Sequence, residues 1–172
     1  MNLKVLIDEQ TLQKRIEEMA KQIEKDYAGR EIVIISILTG AVYFTIDLTK
    51  RINNDRLMLE FMKVSSYGNS QESTGEIKIT KDIEHSLEGK DIIIVEDIID
   101  TGLTMVTLKN YLLSKKPNSL KICTLLDKKE RRKVEIEADY VGFEIPNKFV
   151  LGYGLDYEDY YRNLPYIAVN EE

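Results

Sequence analysis

The sequence predicts an α/β protein built on a doubly wound parallel sheet. Three observations carry that expectation. Ile32–Leu38, residues 91–95 and residues 120–126 are short, β-branched and apolar at nearly every position, as strands covered on both faces must be. Stretches with helical spacing alternate with them, and strand–helix–strand order implies right-handed parallel crossovers with helices on both faces. The strands run into Thr39-Gly40 and Thr101-Gly102, at the carboxyl ends where such sheets take ligands.

The elements follow in order. Asp8 is placed to cap a helix in which Leu12, Ile16, Met19, Ala20, Ile23 and Tyr27 recur at steps of three and four, ending near Gly29. Ile32–Leu38 is the first buried strand, and Thr39-Gly40 breaks it. Residues 41–52 read as helix and 57–65 as strand. Residues 66–75 are polar and carry Gly68 and Gly75; a loop of that length in a compact domain suggests a lid. Residues 76–80 alternate as a strand, 91–95 form a second buried strand and 104–114 a helix. Residues 120–126 are the third buried strand, and short strands are predicted near 140–144, 149–153 and 166–169.

Composition narrows the function. The 172 residues suit one domain, and 43% hydrophobic residues suffice for a core. Acids outnumber bases 30 to 24, for a net charge of −6. A protein that grips nucleic-acid phosphates carries the opposite balance, so no nucleic-acid partner is expected. The single cysteine, Cys123, excludes an intrachain disulfide framework and a four-cysteine zinc site; mid-strand, it reads as a buried inert thiol. The lone His85 reads as a surface residue, and residues 128–133 as a solvated basic loop. No apolar run approaches the ~18 residues of a membrane span. The start turns charged within eight residues, unlike a secretory signal. A cytoplasmic protein is expected.

Residues 95–104 carry the chemistry: Val-Glu-Asp-Ile-Ile-Asp-Thr-Gly-Leu-Thr. The segment starts at the end of a buried strand and finishes at a helix N-terminus. Thr101, Gly102 and Thr104 offer hydroxyls and approachable backbone N–H groups at the positive end of that helix, a combination that binds a phosphate monoester. Glu96, Asp97 and Asp100 lie just upstream. Carboxylates there can accept from sugar hydroxyls, hold a metal or move a proton. The segment is not a G-x-x-x-x-G-K-[ST] loop, and Gly152-Tyr153-Gly154 lacks the third glycine of a dinucleotide fingerprint.

This decapeptide resembles the phosphoribosyl-diphosphate (PRPP) motif of the type I phosphoribosyltransferases. With residues 148–156, Lys-Phe-Val-Leu-Gly-Tyr-Gly-Leu-Asp, the chain is similar to the hypoxanthine–guanine branch from Val5 to about Val169. The resemblance implies one domain over residues 1–172, with a small hood contributed by roughly 1–10 and 145–172. It implies transfer of 5-phosphoribosyl from PRPP to hypoxanthine or guanine, releasing pyrophosphate, with Mg²⁺, in a homodimer or homotetramer.

The implied roles are specific. Glu96 and Asp97 would hold the ribose hydroxyls, directly or through Mg²⁺, and Asp100 would take the purine's ring proton. Thr101, Gly102, Leu103 and Thr104 would cradle the 5′-phosphate. Lys148 would donate to the 6-oxo group, Phe149 would stack on the ring, the Val150 backbone would meet its edge, and Lys128 would support the substrates. Asp156 would reach a Mg²⁺ on the diphosphate, which Arg162 and the Thr39-Gly40 loop would bind. Ser66-Tyr67-Gly68 matches the family's mobile loop, whose closure would exclude water.

Thr39 departs from the family, where Lys or Arg is common. Backbone N–H groups can still hold diphosphate oxygens there, but the missing cation costs about 1–2 kcal/mol, the scale of a hydrogen bond to a charged group. Thr39→Lys is therefore expected to lower the PRPP KM and the pyrophosphate Ki by roughly tenfold; unchanged values for both would remove Thr39 as a determinant.

Overall fold

The computed structural model describes residues 1–66 and 75–171. The chain runs β1 (Leu3–Ile7), α1 (Glu9–Asp26), β2 (Ile32–Leu38), α2 (Val42–Thr49), β3 (Leu57–Ser66), β4 (Ile77–Lys81), β5 (Asp91–Ile99), α3 (Leu103–Leu113), β6 (Ser119–Asp127), a 3₁₀ turn (Lys129–Arg131), β7 (Tyr140–Glu144), β8 (Val150–Leu151) and β9 (Ile167–Asn170). The main sheet has the order β4-β3-β2-β5-β6-β7. Its neighbours pair in parallel except at β3–β4, where an antiparallel edge strand closes one side. This is the α/β sheet the alternation predicts.

Side-chain alternation divides the core in two. Ile32, Ile34, Ile93, Val95, Cys123 and Leu125 face α1 and α2, while Val33, Ile35, Ile37, Ile92, Ile94 and Ile122 face α3. A strand with period two covered on both faces must be apolar throughout, which is why these runs carry so little polar punctuation. The α1 face needs only the predicted stripe, and Leu12, Ile16, Met19, Ala20, Ile23 and Tyr27 are all buried. Asp8 starts α1 by accepting from the Thr11 N–H at 2.8 Å.

Sequence reading and structure differ at the chain ends and at one strand. Residues 3–7 form a strand that sequence reading did not identify, because Val5 and its neighbours are largely exposed and carry a weak pattern. β1 gains its place by pairing with β9, Leu3 opposite Asn170 and Val5 opposite Ala168. β9 in turn pairs with β8, so the first strand and the last two make one antiparallel three-stranded sheet. β5 extends four residues beyond the apolar run, with Ile98 opposite Leu126 and Ile99 opposite Asp127.

Under α2 lies a polar pair that the core must satisfy. Ser36 and Thr45 are fully buried, their hydroxyls 2.7 Å apart, and Thr45 also bonds the Ala41 carbonyl at 2.7 Å. Thr45→Val keeps the shape but deprives Ser36 of its partner, at about 1–3 kcal/mol. The Tm should fall by roughly 2–10 °C in a thermal melt, and an unchanged Tm would show the pair contributes nothing net.

Candidate active site

The main sheet reverses its order between β2 and β5. After β2 the chain moves outward to β3, and after β5 it moves the other way to β6, leaving a crevice at the strands' carboxyl ends. Two segments close on it there. Gly40, just past β2 and a cis Leu38–Thr39 peptide, lies so near the Asp97 carboxylate that a Cβ would overlap it. Gly154, at φ +100°, presses equally hard on the Gly40 carbonyl. Only glycine permits both approaches, and they bring the Thr39 loop, the β5 acids and the 152–156 segment together.

The β5 acids gather on strand rather than loop. Glu96 and Asp97 are half-buried and adjacent, with the Asp97 N–H donating to Glu96 Oε1 at 3.1 Å and the Ile98 N–H to Asp97 Oδ1 at 2.7 Å. Burial, reinforced by the Asp97 charge, pushes the Glu96 carboxyl well above the usual range, and burial raises Asp97 as well. The Arg162 charge draws Asp97 down only in part. Asp100 follows, more exposed, its Oδ1 accepting from Arg131 Nε at 2.9 Å. Thr101 and Gly102 are buried, Gly102 adopts a left-handed conformation at the start of α3, and Thr101 Oγ1 accepts from the Leu103 N–H at 3.3 Å. Gly102, the residue before α3, has no side chain to cap the helix, and a helix N-terminus of this kind is suited to an anion.

Two cavities meet here. One of about 210 Å³ is lined by residues 96–102 with Thr104 and Met105. The other, about 560 Å³, is lined by Ile98, Asp100, Lys128, Arg131, Asn147, Phe149, Val150, Leu155 and Asp156. Ile98 and Asp100 belong to both walls. Asp100 therefore stands between the smaller hollow at the start of α3 and a larger, partly apolar one.

The two lysines separate clearly. Lys148 is exposed and outside the lining of either cavity. Lys128 is only 7% exposed and lines the larger cavity, with burial lowering its pKa against the opposing pull of Asp100. Phe149, 57% exposed, meets Tyr157 edge-on at 5.9 Å, and Val150 is buried in β8. Arg162 binds the Gly154 carbonyl at 2.7 Å and Asp156 Oδ1 at 3.2 Å, so Asp156 is held on the wall of the larger cavity. Thr39 is exposed at the crevice. Ser66 ends β3, and Tyr67 lies outside the described residues.

Sequence reading overlooked Asn147, Asp127 and the arginines at 131 and 132. Their signal was weak because a basic run after a strand looks like a solvated loop. Instead, Lys128 and the Arg132 guanidinium are nearly buried. His85 is exposed as expected, although it pairs with the buried Glu60. Cys123 is buried, and burial pushes its thiol far up, out of reach of reactivity.

Among the described residues no group of three or more His, Cys, Asp and Glu could by itself cage a metal ion. The donor set nonetheless fits Mg²⁺, which is held by one or two carboxylates with substrate oxygens filling the remaining positions. Glu96 and Asp97 are two such carboxylates, adjacent and half-buried at the end of β5.

Comparison with known proteins agrees with this geometry. The family model of the phosphoribosyl transferase domain matches residues 4–158. A hypoxanthine-guanine phosphoribosyltransferase from Aquifex aeolicus is 51% identical, over 99% of this chain and 96% of its own. A crystal structure of a hypoxanthine-guanine phosphoribosyltransferase from Bacillus anthracis, with HEPES in its active site, superposes with a TM-score of 0.93 at 50% identity over 98% of each chain. A hypoxanthine phosphoribosyltransferase from Staphylococcus aureus reaches a TM-score of 0.94 at 50% identity, over 98% of this chain and 91% of that one.

The acid pair carries a stability signature. A carboxyl whose pKa is raised by folding costs stability once it ionises, so the cost is absent below about pH 4.5 and grows as pH rises through the folded value. In metal-free buffer Glu96→Gln should raise stability at neutral pH by about 0.5–2 kcal/mol, the gain vanishing near pH 4. A variant less stable than the parent at pH 7 would contradict the assigned strain.

Proposed function

The chain belongs to the phosphoribosyltransferase family, and we propose that it is a purine-salvage enzyme that transfers 5-phosphoribosyl from PRPP to N9 of hypoxanthine or guanine. The products are the nucleoside monophosphate and pyrophosphate. The observation that carries the reading is Asp100, shared by the anion hollow and the larger cavity. A proton acceptor at that border can serve a purine while the phosphate is fixed alongside.

The residues divide the work. Thr101, Gly102, Leu103 and Thr104 hold the 5′-phosphate on the α3 amides. Glu96 and Asp97 accept from the ribose hydroxyls, and their negative charge suits a ribosyl carbon that becomes oxocarbenium-like as pyrophosphate departs. Asp100 takes the purine's ring proton. Thr39, Gly40 and Arg162 receive the diphosphate. Mg²⁺, which Glu96, Asp97 and Asp156 would hold, supplies positive charge to the leaving diphosphate in an otherwise acidic protein.

Purine selection is assigned to Lys128 rather than Lys148. Lys128 enters the cavity with Phe149 and Val150, whereas Lys148 stays outside it. A buried ammonium pairs with a 6-oxo oxygen. Adenine sets its amino donor against that donor and leaves both unpaired, so rejection is strong.

Residues 1–172 form one domain, in which the three-stranded sheet of β1, β9 and β8 is the hood over the purine. Tyr43 and Ile46 on α2 and Leu59 on β3 are exposed apolar residues, and they support a homodimer or homotetramer. A cytoplasmic location is consistent with a thiol that stays reduced, and among the described residues no helix is long and apolar enough to cross a membrane.

The test is turnover with PRPP and Mg²⁺ on hypoxanthine, guanine, xanthine and adenine in parallel. Nucleotide and pyrophosphate should appear with 6-oxopurines and not with adenine; no turnover with any base would overturn the enzyme reading. Lys128→Met should raise the hypoxanthine KM by roughly 10–100-fold, matching the ~1.5–3 kcal/mol of a charged hydrogen bond, while Lys148→Met changes it little. The reverse ranking would return the 6-oxo contact to Lys148.

A further inference from the structure

The turn that carries Asp100 does not hold itself in place. A single segment, residues 128–136, grips it from Ile99 to Gly102. The Lys128 N–H donates to the Ile99 carbonyl at 2.9 Å, and the Lys133 N–H to the Thr101 carbonyl at 2.9 Å. Arg131 reaches the Asp100 carboxylate. Gly102 lies against Ile136, Val134 and the aliphatic stem of Arg132, leaving no room for a Cβ.

Arg132 is the centre of this grip. Its Nη1 donates to the Asp100 carbonyl at 2.8 Å and to the Ile99 carbonyl at 3.4 Å. Its Nε donates to the Ile136 carbonyl at 3.1 Å, and its Nη2 meets Asp127 Oδ1 at 2.5 Å. The pair is buried, with side-chain exposures of 12% for Arg132 and 0% for Asp127. A planar guanidinium serves several acceptors in fixed directions, which an ammonium cannot do. Asp127 is also the last residue of β6 and pairs with Ile99 in the sheet register. The guanidinium thus ties the end of β6, the turn after β5 and the 132–136 segment at one point.

We infer that Arg132, anchored by Asp127, is a positioning residue for the transfer reaction: it fixes the Asp100 main chain and the adjoining phosphate turn without touching substrate. The inference rests on the reading of Asp100 as proton acceptor. Displacement of a reacting group by about 1 Å costs on the order of 10²-fold in rate, and a turn whose Ile99 and Asp100 carbonyls both accept from one guanidinium is sensitive on that scale.

The test is a double-mutant cycle in the full chain. Arg132→Lys keeps the charge near Asp127 but loses the fork. Its kcat should fall about 10²-fold and its PRPP KM should rise, while the hypoxanthine KM stays within about twofold. In an Asp100→Asn background the same substitution should lower kcat by less than about fivefold more, because misplacing an acceptor already removed costs little. Full multiplication of the two losses would overturn the inference and leave Arg132 a general structural residue. Asp127→Asn offers a second route if Arg132→Lys fails to fold, with the same pattern at smaller amplitude expected. Wild-type kcat in folded Asp127→Asn and Arg132→Lys proteins would also overturn it. Wild-type turnover in Asp100→Asn alone would instead sink the proton-acceptor reading, and the inference with it.

Discussion

β5 stays hydrogen-bonded to β6 as far as Ile99 opposite Asp127, four residues past the end of its apolar run. The site depends on that register. Pairing with β2 ends at Val95, and parallel pairing with β6 carries the strand on out of the two-faced core and delivers Glu96, Asp97 and Asp100 to the rim in a fixed order. A one-residue slip would exchange the faces of every side chain along β5, turning Ile93 and Val95 away from α1 and moving the acids with them. The apolar packing of Ile92, Ile93, Ile94 and Val95 therefore stabilises the fold and holds the chemistry in register.

The rim itself is electrostatically unfavourable. Two raised carboxyls stand side by side at its centre, and Lys128 sits beside Asp100 with its own pKa lowered by burial. Titratable groups shifted in this way by burial and by one another cluster at functional sites. Rigid neighbours hold them. Arg162 ties Asp156 to the Gly154 carbonyl, and the Arg132–Asp127 pair ties the Asp100 turn to β6. Breaking a buried pair strands a charge at far greater cost than breaking a surface one, so the Arg132–Asp127 contact is the stiffer of the two.

The helices, main-sheet strands and acid motif were legible for definite reasons. Strands buried on both faces are apolar at both parities, and α1 repeats its stripe over six residues that are all buried. The motif combines acids, threonines and a glycine at a strand–helix junction, where few other chemistries fit. β1 was illegible because it owes its existence to β9, 160 or so positions along the chain. The end of β5 was misplaced because pairing, not composition, extends it.

By itself the sequence determined the α/β class, the order of the buried strands, the acid-bearing turn between β5 and α3 and the family. Those depend on residue type and local spacing, which periodicity and capping preferences report directly. Only the tertiary structure decided which lysine lines the larger cavity, and that the arginines after β6 turn inward to hold Asp100 rather than outward to water. Lys128 and Lys148 are chemically identical, and Arg131 and Arg132 sit in a run that reads as solvated. What separates them is burial and direction at the end of β6, where distant segments meet.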